Sequence, residues 1–411
     1  MTISNSTSFV KANALHETMP ASVKRIVGLL EQLQHGVLTV HWPDGQVSQF
    51  GQAHGDELHA SLHLHNWEPF TQAMKSGDIG FAESFIAGDW TSSDVTSLLR
   101  LFIANRKHID DLIFGHWLGR TYYRIKHFLK RNTRSNSQKN IQAHYDLGND
   151  FYKLWLDETM NYSSAWFDGD FSSTTSHAQS AKVRRALHMA GVQAGDRVME
   201  IGCGWGALAE MGAVDFGGQM YGVTLSHEQL AFAQERLHRT SGQAPEQLRL
   251  QDYRDINDGP YDAICSIEMI EAVGQAFWPE YFATIARLLK HGGKACVQSI
   301  VIDDALYERY IHSTDFIQQY IFPGGCLPCP KEFQAQAERA GLRIVDDMSF
   351  GLDYAETLRR WRAKFLEEKS KVLQLNFDER FMRIWEFYLC YCEAAFEEKS
   401  IDVVQYTLEK V

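Results

Sequence analysis

The chain has 411 residues, 45% hydrophobic and 12% aromatic, which exceeds one ordinary core and implies two or three domains. Its 52 Asp and Glu against 40 Lys and Arg leave a net charge of -12. That balance argues against nucleic acid as a partner, because phosphate binding needs an extended cationic face.

At the N-terminus, Met1-Thr-Ile-Ser-Asn-Ser-Thr7 lacks the basic and apolar regions of an export signal. No uninterrupted apolar run approaches the roughly 18 residues that span a bilayer. The expectation is a cytoplasmic protein whose contact with the inner face of the membrane is peripheral. Gly36 to Trp42 and Gln46 to Phe50 read as strands around the turn Pro43-Asp-Gly45. From Leu58 to His65 apolar and polar residues alternate, so His59, His63 and His65 share one strand face. No carboxylate or cysteine joins them, which favours a solvated face over a metal site.

Residues 66 to 131 turn helical and aromatic, completing an N-terminal α+β domain over residues 1–131. Between Arg120 and Lys139 lie seven Lys or Arg and no Asp or Glu, interleaved with Tyr122, Tyr123, Phe128 and Leu129. Two readings stand: a basic aromatic helix lying on an anionic membrane surface, or a solvated helix leading into a linker at residues 132–139.

Beyond it, Arg197 to Ile201, Gly218 to Thr224, Tyr261 to Ile267 and Lys294 to Ile302 read as buried strands between amphipathic stretches. This alternation predicts an α/β fold with a doubly wound, mostly parallel sheet over residues 140–411. Ligands of such sheets bind beyond the strand C-termini, which gathers Gly202 to Gly206, Thr224, Asp252 and Glu268 around one crevice. Residues 303–411 read as mainly helical insertions rich in Tyr, Phe and Trp. The seven cysteines are scattered and read as reduced thiols; Cys326-Leu-Pro-Cys329 and Cys390-Tyr-Cys392 lack the paired spacing of a zinc site, so no metal is expected.

The most informative stretch is Val198-Met-Glu-Ile-Gly-Cys-Gly-Trp-Gly206, a strand breaking into a glycine turn ahead of a helix. Its spacing is G-x-G-x-G. A dinucleotide fingerprint places the third glycine one residue later, over a pyrophosphate. The tighter spacing fits the nucleoside and amino-acid ends of S-adenosylmethionine better.

Ala143-His-Tyr-Asp-Leu-Gly-Asn-Asp150, Met160-Asn-Tyr-Ser-Ser-Ala-Trp-Phe167, Glu200 to Gly206, Gly222-Val-Thr-Leu-Ser226, Leu250-Gln-Asp-Tyr-Arg-Asp255 and Tyr320-Ile-Phe-Pro-Gly-Gly-Cys-Leu-Pro328 extend this pattern in order. Together they resemble the cyclopropane-fatty-acid synthases and their mycolic-acid-modifying relatives, which are S-adenosylmethionine-dependent methyltransferases of class I fold. The resemblance runs from about residue 140 to the C-terminus. It implies an unsaturated phospholipid acyl chain as substrate and a cyclopropane product, and leaves a homodimer open. It also implies cofactor contacts from Tyr162 and Ser163 above, from Glu200, Gly202, Gly204, Trp205 and Gly206 below, from Thr224, Leu225 and Gln229 at the ribose and methionine, and from Asp252, Tyr253 and Arg254 at the adenine.

Methylating an alkene needs no prior deprotonation, since the nucleophile is a π bond. It needs a dry pocket, aromatic faces for the resulting cation, and a base whose choice of proton decides between a ring and a branch. Glu268 and Glu271 in Ser266-Ile-Glu-Met-Ile-Glu271 are the candidates: on a helix starting there they share one face, and mutual repulsion would raise one pKa. The alternative is two exposed acids in a first helical turn. The family pattern uses bound bicarbonate held by glutamate, histidine and tyrosine. Here Glu271 and Tyr354 match, while Gln298 stands for the histidine and Glu268 for a small residue. The expectation is therefore that the Glu268 carboxylate takes the place of bicarbonate, supported by Glu271, Gln298 and Tyr354. Cys392 matches a cysteine once given a nucleophilic role; packing is the favoured reading, since no covalent enzyme intermediate is required. A methyl-branched or methylene fatty acid from the same substrate is the alternative product, and a non-catalytic lipid-binding protein the alternative from outside enzymes.

Overall fold

A computed structural model describes residues 19–52, 58–107, 109 and 147–411. The basic segment Arg120 to Lys139, the linker and the boundary at residue 131 lie outside the described residues.

The first unit opens with α1 (Ala21–Leu30) and pairs β1 (Val37–His41) antiparallel with β2 (Val47–Gly51), as the turn chemistry predicts. β3 (His59–Leu64) lies parallel to β1 on its other edge, and the short β4 (Trp90–Thr91) completes a four-stranded sheet. His63 stacks on His41 with ring centroids 3.9 Å apart, and His65 lies past the strand end. Among the described residues no cluster of His, Cys, Asp or Glu could hold a metal ion. α2 (Glu68–Ala87), broken at Gly77, and α3 (Val95–Ala104) cover the sheet.

The second unit is built on α4 (Thr175–Met189) and β5 (Arg197–Ile201). The glycine turn leads into α5 (Ala207–Val214), followed by β6 (Gln219–Thr224), α6 (His227–Ser241), β7 (Leu248–Leu250), β8 (Tyr261–Ile267), α7 (Trp278–Leu288) and β9 (Leu289–Ile302). β5 and β8 keep the bounds read from the sequence; β9 starts five residues earlier than its apolar run does. Ser226 caps α6 by accepting from the Gln229 N–H, which fixes the chain direction just after β6.

The mainly helical reading of residues 303–411 holds, but it misses two strands. After α8 (Pro330–Arg339) come β10 (Leu342–Ser349), then α9 (Gly351–Glu367), α10 (Glu379–Glu397) and β11 (Ile401–Lys410). Both strands join the sheet, whose order is β10-β11-β9-β8-β5-β6-β7. β11 runs antiparallel between β9 and β10, and the other neighbours along β9-β8-β5-β6-β7 are parallel. The alternating burial of β10, with Arg343 and Asp347 turned outward, hid it among the helices, whereas β11 is a continuous buried run over residues 403–408. β6 and β8 leave β5 in opposite directions, so the crevice lies over β5, where ligands of such sheets bind.

One continuous apolar core contains Phe70, Phe81, Phe85, Trp90 and Phe102 of the first unit together with Trp361, Trp385, Phe387 and Phe396 of α9 and α10. Phe85 meets Phe387 at 5.7 Å between ring centroids. Burying each such side chain stabilises by about 1.5–3 kcal/mol, so the two units act as one packed body. No helix among the described residues is long and apolar enough to cross a membrane.

Candidate active site

Two cavities open over the C-terminal ends of β5, β6 and β8. The smaller, about 160 Å³, is lined by Tyr162, Ser163, Glu200, Gly202, Gly204, Trp205, Thr224, Leu225, Gln229, Asp252, Tyr253 and Arg254. These are the residues for which the resemblance implied cofactor contacts, except Gly206. A Cβ on Gly206 would stand 2.9 Å from the Ala233 Cβ, so this glycine serves the seating of α6 and is absent from the cavity wall. Gly204, also at positive φ, has open space where a Cβ would be.

The polar lining is organised before any ligand arrives. The Thr224 hydroxyl donates to Gln229 Oε1 at 2.9 Å, and Arg254 holds Asp252 through Nε at 2.8 Å and Nη2 at 2.5 Å. Trp205 Nε1 donates to Asn149 Oδ1 at 2.7 Å. Glu200 is buried with Oε2 unpartnered, and burial pushes its carboxyl up to about 8. An open glycine turn beside a buried carboxylate oxygen that lacks a donor fits an amino-acid end carrying an ammonium.

Lys182 went unnoticed in the sequence. It is fully buried, donates to Ser163 Oγ at 2.6 Å and to Asn161 Oδ1 at 3.3 Å, and burial lowers its ammonium to about 8 against the pull of Glu268, Asp157 and Glu200. A signal existed: Ala178, Lys182 and Ala186 sit at four-residue spacing on the buried stripe of α4.

The larger cavity, about 360 Å³, is apolar and draws on both units: Phe70, Phe81 and Phe102 face Tyr388, Tyr391 and Phe396. Cys392 lines it too, with its thiol pushed up by burial and by Asp315, which disfavours a thiolate nucleophile. Tyr162, Glu268 and Ala272 belong to the walls of both cavities.

At that junction the expected helix over Glu268 and Glu271 is replaced by a turn. Glu268 has φ +49° and precedes a 3-10 turn, Ile270–Ala272, so the two acids do not share an α-helical face. The reading as exposed acids fails as well, since both lie on the cavity wall. Glu268 Oε1 accepts from the Ser164 N–H at 2.9 Å and from Gln298 Nε2 at 2.6 Å, while Oε2 accepts from the Tyr354 hydroxyl at 2.6 Å. Burial raises its pKa, and these donors with Lys182 oppose the rise. Glu271 accepts from the Ile300 N–H at 2.5 Å, its Oε2 has no partner, and burial followed by repulsion from Glu268 pushes it up to about 8. Glu268 thus has the donors of an ionised group, and Glu271 the surroundings of a protonated one.

Sheet order, glycine turn and cavity define a class I S-adenosylmethionine-dependent methyltransferase. A family model described as mycolic acid cyclopropane synthetase matches residues 132–406, and the chain belongs to this family. It is 39% identical over 380 residues to the tuberculostearic acid methyltransferase UfaA1 of Mycobacterium tuberculosis, covering 90% of this chain and 88% of that protein. It is 33% identical over 368 residues to the cyclopropane-fatty-acyl-phospholipid synthase of Escherichia coli K12, covering 87% and 90%. The solved mycolic acid cyclopropane synthase CmaA1, complexed with SAH and CTAB, superposes with a TM-score of 0.62 at 31% identity, covering 66% of this chain and 98% of that one.

Proposed function

We propose that the protein transfers a methyl(ene) group from S-adenosylmethionine to a cis double bond in the acyl chain of an unsaturated phospholipid, with Glu268 as the base that ends the reaction. One observation carries this reading: the glycine-lined and apolar cavities meet at Tyr162, Glu268 and Ala272. Bound S-adenosylmethionine supplies an electrophilic methyl group at that junction.

The protein's own residues do the rest. The apolar wall takes the acyl chain and excludes water, which would otherwise capture the cation left on the alkene. Aromatic faces such as Tyr162 and Tyr388 steady that cation by about 0.5–2 kcal/mol each. Glu268 then removes one proton, and the electrons of the broken C–H bond quench the cation. Its three donors oppose the upward push of burial on its pKa and fix its aim, and its side chain uses the Tyr354 and Gln298 donors that a bicarbonate would need.

Loss of that proton from the delivered methyl with ring closure gives the cyclopropane, as in the name of the relative from E. coli. A second reading, a methyl-branched or methylene fatty acid, is favoured by the name of the relative at 39% identity. We place the protein on the cytoplasmic face of an anionic membrane, engaged peripherally. Incubation with methyl-labelled cofactor and vesicles of an unsaturated phosphatidylglycerol tests the whole reading. Labelled acyl chains with cyclopropane ring protons in the NMR spectrum support the ring, olefinic methylene protons support the branch, and no labelled lipid overturns the proposal.

A further inference from the structure

Gln298 could present either end of its side-chain amide to Glu268. With the NH2 facing, it donates and favours the carboxylate; with the oxygen facing, it repels it. Gln298 alone has no means to choose, because both ends find partners.

We propose that Arg185 and Gln405 are positioning residues for Glu268, fixing the Gln298 amide with its NH2 toward the carboxylate. The inference rests on the reading of Glu268 as the base. β11 pairs Gln405 directly with Gln298 of β9, and both side chains are fully buried. Gln405 Nε2 donates to Gln298 Oε1 at 2.9 Å and to the Lys182 carbonyl at 3.2 Å, while Gln405 Oε1 accepts from Arg185 Nη1 at 2.8 Å. A guanidinium only donates and a carbonyl only accepts, so both ends impose one orientation on Gln405. That orientation leaves Gln298 Oε1 as the acceptor and its NH2 for Glu268. Asp346 at the edge of the sheet holds Arg185 at 2.9 Å, completing a chain of directed hydrogen bonds from a half-exposed ion pair to the base.

The titratable side chains facing Glu268 are Tyr354, Lys182 and Glu271, and none of them is bonded to the Gln405 amide. Gln405 and Arg185 make no bond to the Glu268 side chain itself; the direct link is Gln298, with the Lys182 carbonyl as the other group that Gln405 holds.

The experiment follows the carboxyl infrared band of Glu268, identified by its loss in Glu268→Gln, against pH in the ligand-free full-length protein. Gln405→Glu places acceptors where Gln405 donated, keeps a partner for Arg185 and turns the Gln298 oxygen toward the base; the midpoint is expected to rise by about one pH unit. Arg185→Met releases the same constraint and raises the midpoint less, while Arg185→Lys preserves a donor and the wild-type midpoint. An unchanged midpoint in Gln405→Glu overturns the inference. Should that variant fail to fold, equal midpoints in Arg185→Met and Arg185→Lys overturn it instead. Methyl transfer by Glu268→Gln is measured alongside: full turnover there would sink the base assignment itself, whatever the band shows.

Discussion

The two cavities are built differently. The polar one draws its lining from residues 160 to 273, mostly at or just past the ends of β5, β6, β7 and β8, whereas the apolar one collects residues from Phe70 to Ile401 across both units. The first is local in sequence and positioned by backbone turns; the second exists only after distant helices pack. Cofactor handling should accordingly depend on single turn residues, and acyl handling on bulk and shape contributed from afar.

The sharpest way to break this comparison is at the junction. Glu268→Gln keeps the size of the side chain and the left-handed backbone but removes the base, and methyl transfer is expected to fall by roughly 10²–10⁴-fold while calorimetric affinity for S-adenosylhomocysteine holds. Retained turnover would sink the assignment.

Two glycines separate fold from ligand within the polar cavity. Gly206→Ala meets Ala233 at 2.9 Å at positive φ and should cost about 1–3 kcal/mol in denaturant unfolding, whereas Gly204→Ala, facing open space, should act mainly by weakening S-adenosylhomocysteine. Equal losses of stability would erase the distinction.

On the apolar side, Ala73→Leu adds bulk to a buried position of α2 that lines the cavity. An increase in KM for lipid of about tenfold is expected, since each methylene displaced in an apolar site is worth on the order of 1 kcal/mol, with cofactor affinity unchanged. A change in cofactor affinity instead would mean that the cavities are not independent.

A last effect concerns pH. Glu271 has its pKa raised to about 8 in the fold, from 4.5. Between these values the folded chain holds a proton that the unfolded chain has released, so the contribution to stability is full below pH 4.5 and is lost as pH rises toward 8. Melting curves of Glu271→Gln should therefore decline less steeply over this window, by at most about 1.4 kcal/mol per pH unit. A parallel decline would show that Glu271 is already ionised.

Much of the polar half was legible because its determinants are contiguous: the apolar runs of β5 and β8 end where the ligand-facing residues begin, and the glycine spacing marks the turn itself. Glu268 was legible as a departure from the family pattern, but its turn was not, because Ser-Ile-Glu-Met-Ile-Glu has the composition of a helix start and only Tyr354, Gln298 and Ser164 explain why it bends. The Gln405 contact was out of reach for another reason. It requires β11 to insert antiparallel beside β9, a pairing of residues 107 positions apart, although the β-branched run around Val403 and Val404 was a readable strand signal.

The shared core of the first sheet's helices with α10 has a consequence for synthesis. The aromatic faces at Phe81, Phe85 and Phe102 emerge from the ribosome almost three hundred residues before Phe387 and Phe396 can cover them. A nascent chain must carry that greasy surface through most of its translation, and it is open to misassociation until the last helix arrives.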